Sequence, residues 1–147
     1  MGKRRTIVCG VDGSPGGRTA ARVAVLLARQ FDARLIVVHV LDRLMTASET
    51  AERVAASILF EEAPDSGAEV RGEMGDVAER LAAVASSEEA AMIILGAASR
   101  GRSRFLFRAS CAAELADLTN VPVLVVPTQQ VAGEADAAEL VVTGGDR

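Results

Sequence analysis

No tryptophan and no tyrosine occur in the 147 residues, and four phenylalanines are the only aromatics. A chain so poor in flat rings lacks the stacking platform that holds single-stranded nucleic acid, since only Phe105 and Phe107 stand among basic residues. Histidine occurs once, at His39, inside an apolar run with no serine or cysteine nucleophile near it, which argues against catalysis by that residue. Cysteine occurs twice, as Cys9 and Cys111, without a CxxC pair or a histidine cluster, so neither a disulfide framework nor a zinc site is indicated. No apolar run approaches the ~18 residues of a membrane span. The basic N-terminus MGKRRTIVCGVDG is broken by Gly10 and Asp12, unlike a signal peptide. The expectation is a soluble, cytoplasmic protein with two buried, reduced thiols.

What the chain does have is apolar bulk, 50% of its residues, enough for one domain of ordinary size with a sizeable core. Its net charge of -4 argues against nucleic acid or a membrane surface as partner, because both call for a broad basic face. Any anion site must be local. Lys3 is the one lysine among sixteen basic residues, and so strong a bias toward arginine weakens any inference resting on arginine alone.

Short apolar runs alternate with stretches of helical period, the pattern of βαβ units around a parallel sheet. Strands are predicted over Thr6–Val11, Arg34–Leu41, Ala68–Met74, Ala91–Leu95 and Val121–Val126. Only Ala68–Met74 alternates polar with apolar residues, which puts it at an edge. Helices are predicted over Arg18–Phe31, with Val23, Leu27 and Phe31 inward, over Thr46–Ala63, from an Asp76 N-cap with Val77, Leu81 and Val84 inward, and over Ala109–Leu118. The fold class is therefore α/β, a doubly wound five-stranded parallel sheet with helices on both faces. Residues 1–127 form one domain and 128–147 an acidic tail, whose apolar patch Leu140–Val142 either covers an edge or stays disordered.

In such a sheet the loops beyond the carboxyl ends of the strands hold ligands. VDGSPGG follows the first strand: Asp12 can accept from a ribose hydroxyl or a base amino group, or it and Ser14 can simply shape a turn and cap a helix. GAASRGRSRFLFRAS follows the fourth, where backbone N–H groups, small residues and four arginines suit phosphate. It contains neither GK[ST] nor GxGxxG.

The stretches IVCGVDGS, LIVVHVLD, GEMGDVAERLAAVA, MIILGAASRGRSRFLFRAS and VPVLVVP, in this order and spacing, resemble the universal stress proteins over roughly residues 5–127. The resemblance implies strand order 3-2-1-4-5, which agrees with the edge read at Ala68–Met74. Many members bind ATP, with or without magnesium, through a loop of pattern G, two residues, G, nine residues, G, then S or T. Gly96 and Ser110 match that pattern, whereas Ser99 and Ala109 stand where glycines belong. Gly101 is a displaced second glycine, and Arg102 is among the arginines that can recover phosphate affinity. Asp12, beside Val11, matches the residue contacting the nucleoside, Val40 the one whose backbone meets adenine, and Cys111 a small apolar position. The resemblance also implies a homodimer paired through Val123, Leu124, Val125 and Val126, an edge with no charged guard. The expected protein is a stress-response binding module and not an enzyme, with no resident metal. A slow ATPase or phosphotransferase, and a protein-interaction module that has lost nucleotide, are the alternatives.

Overall fold

The computed structural model of the chain describes residues 2–41, 48–97 and 106–128. Among the described residues nine elements follow one another: β1 (Thr6–Gly10), α1 (Pro15–Gln30), β2 (Arg34–Leu41), α2 (Ser48–Glu62), β3 (Glu69–Met74), α3 (Val77–Ser87), β4 (Ala90–Gly96), α4 (Leu106–Leu118) and β5 (Val123–Val126). The sheet has the order β3-β2-β1-β4-β5, every pair parallel, with β3 at one edge as its alternation requires. Among the described residues no helix is long and apolar enough to cross a membrane.

Because side chains alternate along a strand, each central strand feeds two cores. Ile7, Cys9, Leu35, Val37 and Ile94 pack with α1 and α2; Val8, Ile36, Val38, Ile93 and Leu95 pack with α3 and α4. Cys9 belongs to the first cluster and Cys111 to the second, so the sheet separates them. Both are free and buried, and burial pushes the Cys9 thiol up to about 12, which leaves it inert.

Several local expectations are corrected by packing. α1 opens three residues earlier than predicted, with Pro15 in its first turn and Ser14 as N-cap. Its inward face is Gly17, Ala20, Ala21, Ala24, Val25 and Ala28, while Val23 and Leu27 sit at the margin and Phe31 is exposed. Both stripes have a 3.6 period; the one made mostly of small residues wins, in keeping with the close approach of α1 to the sheet where Gly16 meets Gly96, and Val25 is its one large member. α3 carries the Asp76 cap, whose Oδ1 accepts from Glu79 N–H at 3.0 Å, but Val77 is exposed and Ala78 is buried in its place. α4 begins at Leu106 rather than Ala109. β5 begins at Val123 because Pro122 has no N–H to give a ladder, although its carbonyl accepts from Ile93 N–H at 2.9 Å. The tail beyond residue 128, with Leu140–Val142, lies outside the described residues.

Salt bridges tie the helices and the sheet edge together. Arg18 reaches Glu61, and Arg22 Nε lies 3.0 Å from Glu62, joining α1 to α2. At the amino end of the sheet Glu88 accepts from Arg71 at 2.7 Å and from Arg34 at 2.6 Å, and Arg34 also holds Glu69. The Arg71 and Arg34 hydrogen bonds lower the Glu88 carboxyl below its ordinary value, and Arg34 does the same to Glu69. Unfolded, both titrate near the ordinary ~4.3. The folded state therefore binds fewer protons than the unfolded one below that value, and acid removes a stabilisation fully present above it. The melting temperature is expected to fall from about pH 5 to about pH 3 and to fall less steeply in Arg34→Gln. Parallel melting curves for the two proteins would exclude this network as the source.

Candidate functional site

In the order β3-β2-β1-β4-β5 the chain winds outward from β1 to β3 and then returns to β4, so the direction of winding reverses between β1 and β4. Loops leaving the carboxyl ends of those two strands diverge there, and the crevice between them is where open α/β sheets take ligands. β1 delivers Val11 and Asp12 to this point, and β4 delivers Gly96 and Ala97.

The β1 loop is built around Asp12. Its carboxylate Oδ1 accepts from the Ser14 N–H at 3.1 Å and from the Ser14 hydroxyl at 2.7 Å, a turn that the sequence Asp-Gly-Ser favours. Ser14 Oγ in turn accepts from Gly17 N–H at 3.2 Å and so caps α1. A side chain at position 17 would put its Cβ 2.8 Å from Asp12 Oδ1, so Gly17 is the clearance that lets the carboxylate lie against the helix start. Asp12 itself stays exposed. The turn-and-cap role weighed from sequence is thus present, and it presents a carboxylate of fixed orientation at the switch point.

Val11 is buried, and its N–H donates to Val38 O at 2.9 Å. His39, 8% exposed on β2, places Nδ1 2.7 Å from the Val11 carbonyl oxygen. Val40, one residue on, is half-buried and packs toward the α3 and α4 core.

Gly96 ends β4 directly beneath the start of α1. A Cβ there would stand 2.2 Å from Gly16 O and 2.3 Å from Gly16 C, so the two backbones touch. That close approach requires glycine whether or not a phosphate is ever present. Beyond it, Ala97 N–H donates to Val126 O at 2.7 Å and Thr128 Oγ1 donates to Ala97 O at 2.9 Å, pinning the root of the loop.

Ser99, Gly101 and Arg102 lie outside the described residues. Ala109 and Ser110 fall after the first three residues of α4, not at its opening, since the helix begins at Leu106. Cys111 is buried with Leu115 in the α3 and α4 core. Of the residues singled out from sequence, Val11 and Asp12 follow β1, Val40 lies near the end of β2 and Gly96 ends β4, all at the carboxyl ends of neighbouring strands. Sequence reasoning missed the contact between His39 and Val11, which no spacing signals, and the Gly16–Gly96 contact, for which Pro-Gly-Gly after Ser14 was a visible hint.

A second depression, of about 300 Å³, lies at the opposite end of the sheet among Arg4, Arg29, Asp32 and Arg34. Arg4 is paired with Asp32 at 2.8 Å and Arg34 with Glu69 and Glu88, so most of its positive charge is already answered.

The chain matches the model of the universal stress protein family over residues 3–127. No curated protein matches it. Among solved structures, a universal stress protein in complex with cAMP is similar at a TM-score of 0.66 and 24% identity, covering 86% of this chain and 99% of that one. A universal stress protein from Archaeoglobus fulgidus in complex with dAMP has a TM-score of 0.57 and 24% identity, over 82% of this chain and 96% of its own. A member from Burkholderia pseudomallei has a TM-score of 0.58 and 26% identity, over 83% and 95%. The family match takes in all five strands and both loops of the switch point, not one motif alone, and the chain belongs to the universal stress protein family.

Proposed function

We propose that the protein is a cytoplasmic, dimeric binding module that takes an adenine nucleotide at the β1–β4 crevice. The observation that carries this reading is the Asp12 carboxylate, held at Oδ1 by Ser14 at the point where the sheet reverses its winding. An ionised carboxylate offers acceptors only, which suits the vicinal hydroxyls of a ribose. The backbone at Val40, half-buried at the end of β2, suits the base, Val11 is buried beside the turn in the α1 and α2 core, and Gly17 leaves the turn its room. The complexes of two structural relatives with cAMP and dAMP lend support. Phosphate would fall to the loop from Gly96 to Ser110, through Ser99, Gly101, Arg102 and the backbone at Ala109, with Cys111 serving only as packing behind it. ATP, with or without magnesium, is the ligand that the family pattern implies, and Ser99 and Ala109 in place of glycines bear on the triphosphate more than on the nucleoside. Binding and not turnover is the role, with slow hydrolysis or phosphotransfer as the alternative.

The test is to denature freshly purified protein, chromatograph what it releases, and titrate AMP, cAMP and ATP calorimetrically with and without magnesium. Asp12→Asn keeps an oxygen for Ser14 but removes the charge and replaces one acceptor with a donor. It is expected to weaken binding at least tenfold, about 1.4 kcal/mol, with little change in melting temperature. Neither released nucleotide nor heat at millimolar ligand would end the nucleotide reading and favour the protein-interaction module. Phosphate release by the wild type would favour the enzyme.

A further inference from the structure

We propose that His39 is a positioning residue of the nucleotide site, acting through the Val11 carbonyl to aim Asp12. The inference rests on the reading of the crevice given above.

A buried polar ring requires a partner, and His39 is 8% exposed in an otherwise apolar strand. Its Nδ1 lies 2.7 Å from Val11 O, and a carbonyl oxygen only accepts. The proton must therefore sit on Nδ1, and His39 donates. That donor replaces a rung of the sheet. The registered pairing of β1 with β2 ends at Gly10 and Val38, and Val11 N–H still reaches Val38 O at 2.9 Å. In a continuing parallel ladder the Val11 carbonyl would next accept from the backbone N–H two residues further along β2, at Val40. The chain instead leaves the ladder to form the Asp12 turn, and the His39 side chain takes that carbonyl.

The position of this bond gives it a consequence for the site. Val11 O belongs to the peptide unit joining Val11 to Asp12, so fixing it fixes the plane from which the Asp12 side chain departs. Ser14 holds the other end, through Oδ1 at 2.7 Å and 3.1 Å. Asp12 is thus anchored at its peptide by β2 and at its carboxylate by the start of α1. Without the first anchor the turn pivots about Ser14, and the carboxylate loses its aim although the sheet remains whole.

The experiment compares the wild type with His39→Asn, His39→Leu and His39→Gln. Asparagine carries an N–H at the same number of bonds from Cα as Nδ1, leucine carries none, and glutamine puts its amide one bond further out. Two readouts are taken: the AMP dissociation constant by calorimetry, and amide hydrogen exchange across residues 11–17 in ligand-free protein, with β4 as internal reference. His39→Leu is expected to bind AMP about tenfold more weakly, a loss of one anchoring hydrogen bond, and to exchange faster over residues 11–17 but not over β4. His39→Asn is expected to restore both. If the leucine variant does not fold, the same contrast is expected between asparagine and glutamine. Wild-type affinity in His39→Leu, or in His39→Gln should the leucine variant not fold, or faster exchange spread equally into β4, would overturn the inference and leave His39 a structural residue only. Should the wild type itself bind no AMP, the nucleotide reading falls, and the exchange contrast alone decides whether His39 sets the Asp12 turn.

Discussion

Gly96→Ala is expected to destabilise the domain by about 3 kcal/mol, the upper part of the range for inserting a methyl group into a packed interior. The new Cβ would meet Gly16 O at 2.2 Å, Gly16 C at 2.3 Å and Gly16 Cα at 2.9 Å, all of them backbone atoms. Backbone cannot rotate out of the way. β4 lies inside the sheet between β1 and β5, and α1 is held by the Ser14 cap at its start and by the Arg18 and Arg22 pairs with α2, so relief requires moving one element bodily. Gly10→Ala makes a useful contrast. Its Cβ would meet Leu95 Cδ2 at 2.8 Å and Leu81 Cδ1 at 2.9 Å, the ends of side chains that can turn aside, and a smaller loss is expected. Urea unfolding followed by far-ultraviolet circular dichroism gives the comparison, since the chain has no tryptophan or tyrosine to report it. A Gly96→Ala midpoint equal to that of the wild type would contradict the backbone contact. The result also governs how binding experiments are read. Gly96 matches the first glycine of the family's phosphate pattern, yet a variant there that loses nucleotide would be reporting the fold, which is why Asp12→Asn is the cleaner probe.

Val125→Glu is expected to convert a dimer into a monomer. Leu124 and Val125 are 37% and 43% exposed on β5, the outermost strand, and no charged residue guards the run Val123–Val126. An apolar edge of this kind invites a second strand, and two copies related by a two-fold axis can pair their β5 strands antiparallel. Burying an unpaired carboxylate at that junction costs several kcal/mol, more than a hundredfold in the association constant at about 1.4 kcal/mol per tenfold. Sedimentation at micromolar concentration should therefore show a species of twice the 15.3 kDa chain for the wild type and the single chain for the variant. A dimer that survives the substitution would exclude β5 as the interface. A wild type that is monomeric, but dimerises once the chain is cut after Thr128, would instead assign the tail to covering the edge.

Most of the architecture was legible before any coordinates. The alternation of apolar runs with helical stretches announces βαβ units, and Arg34–Leu41 was bounded to the residue because a charged start and an unbroken apolar run leave little latitude. The mixed polarity of Ala68–Met74 marked the edge taken by β3, and the Asp76 to Glu79 spacing marked the α3 cap. Asp12 was legible as a candidate because a carboxylate at the end of the first strand, followed by turn residues, either meets a ligand or shapes the turn, and the turn is the role its bonds to Ser14 display. The inward face of α1 was not legible: Val23, Leu27 and Phe31 share the period of the stripe that is buried, and periodicity alone does not say how near a helix will lie to its sheet.

The sequence by itself determined the parallel α/β class, the succession of elements, the edge at β3 and the loop carrying Asp12, because each follows from local periodicity, capping or turn chemistry. Only the tertiary structure decided that alanines line α1, that Gly16 and Gly96 touch, that Cys9 and Cys111 are divided by the sheet, and that His39 holds the Val11 carbonyl. Those contacts join residues distant in the chain, and what selects them is how closely two backbones can approach and which buried polar atom still needs a partner.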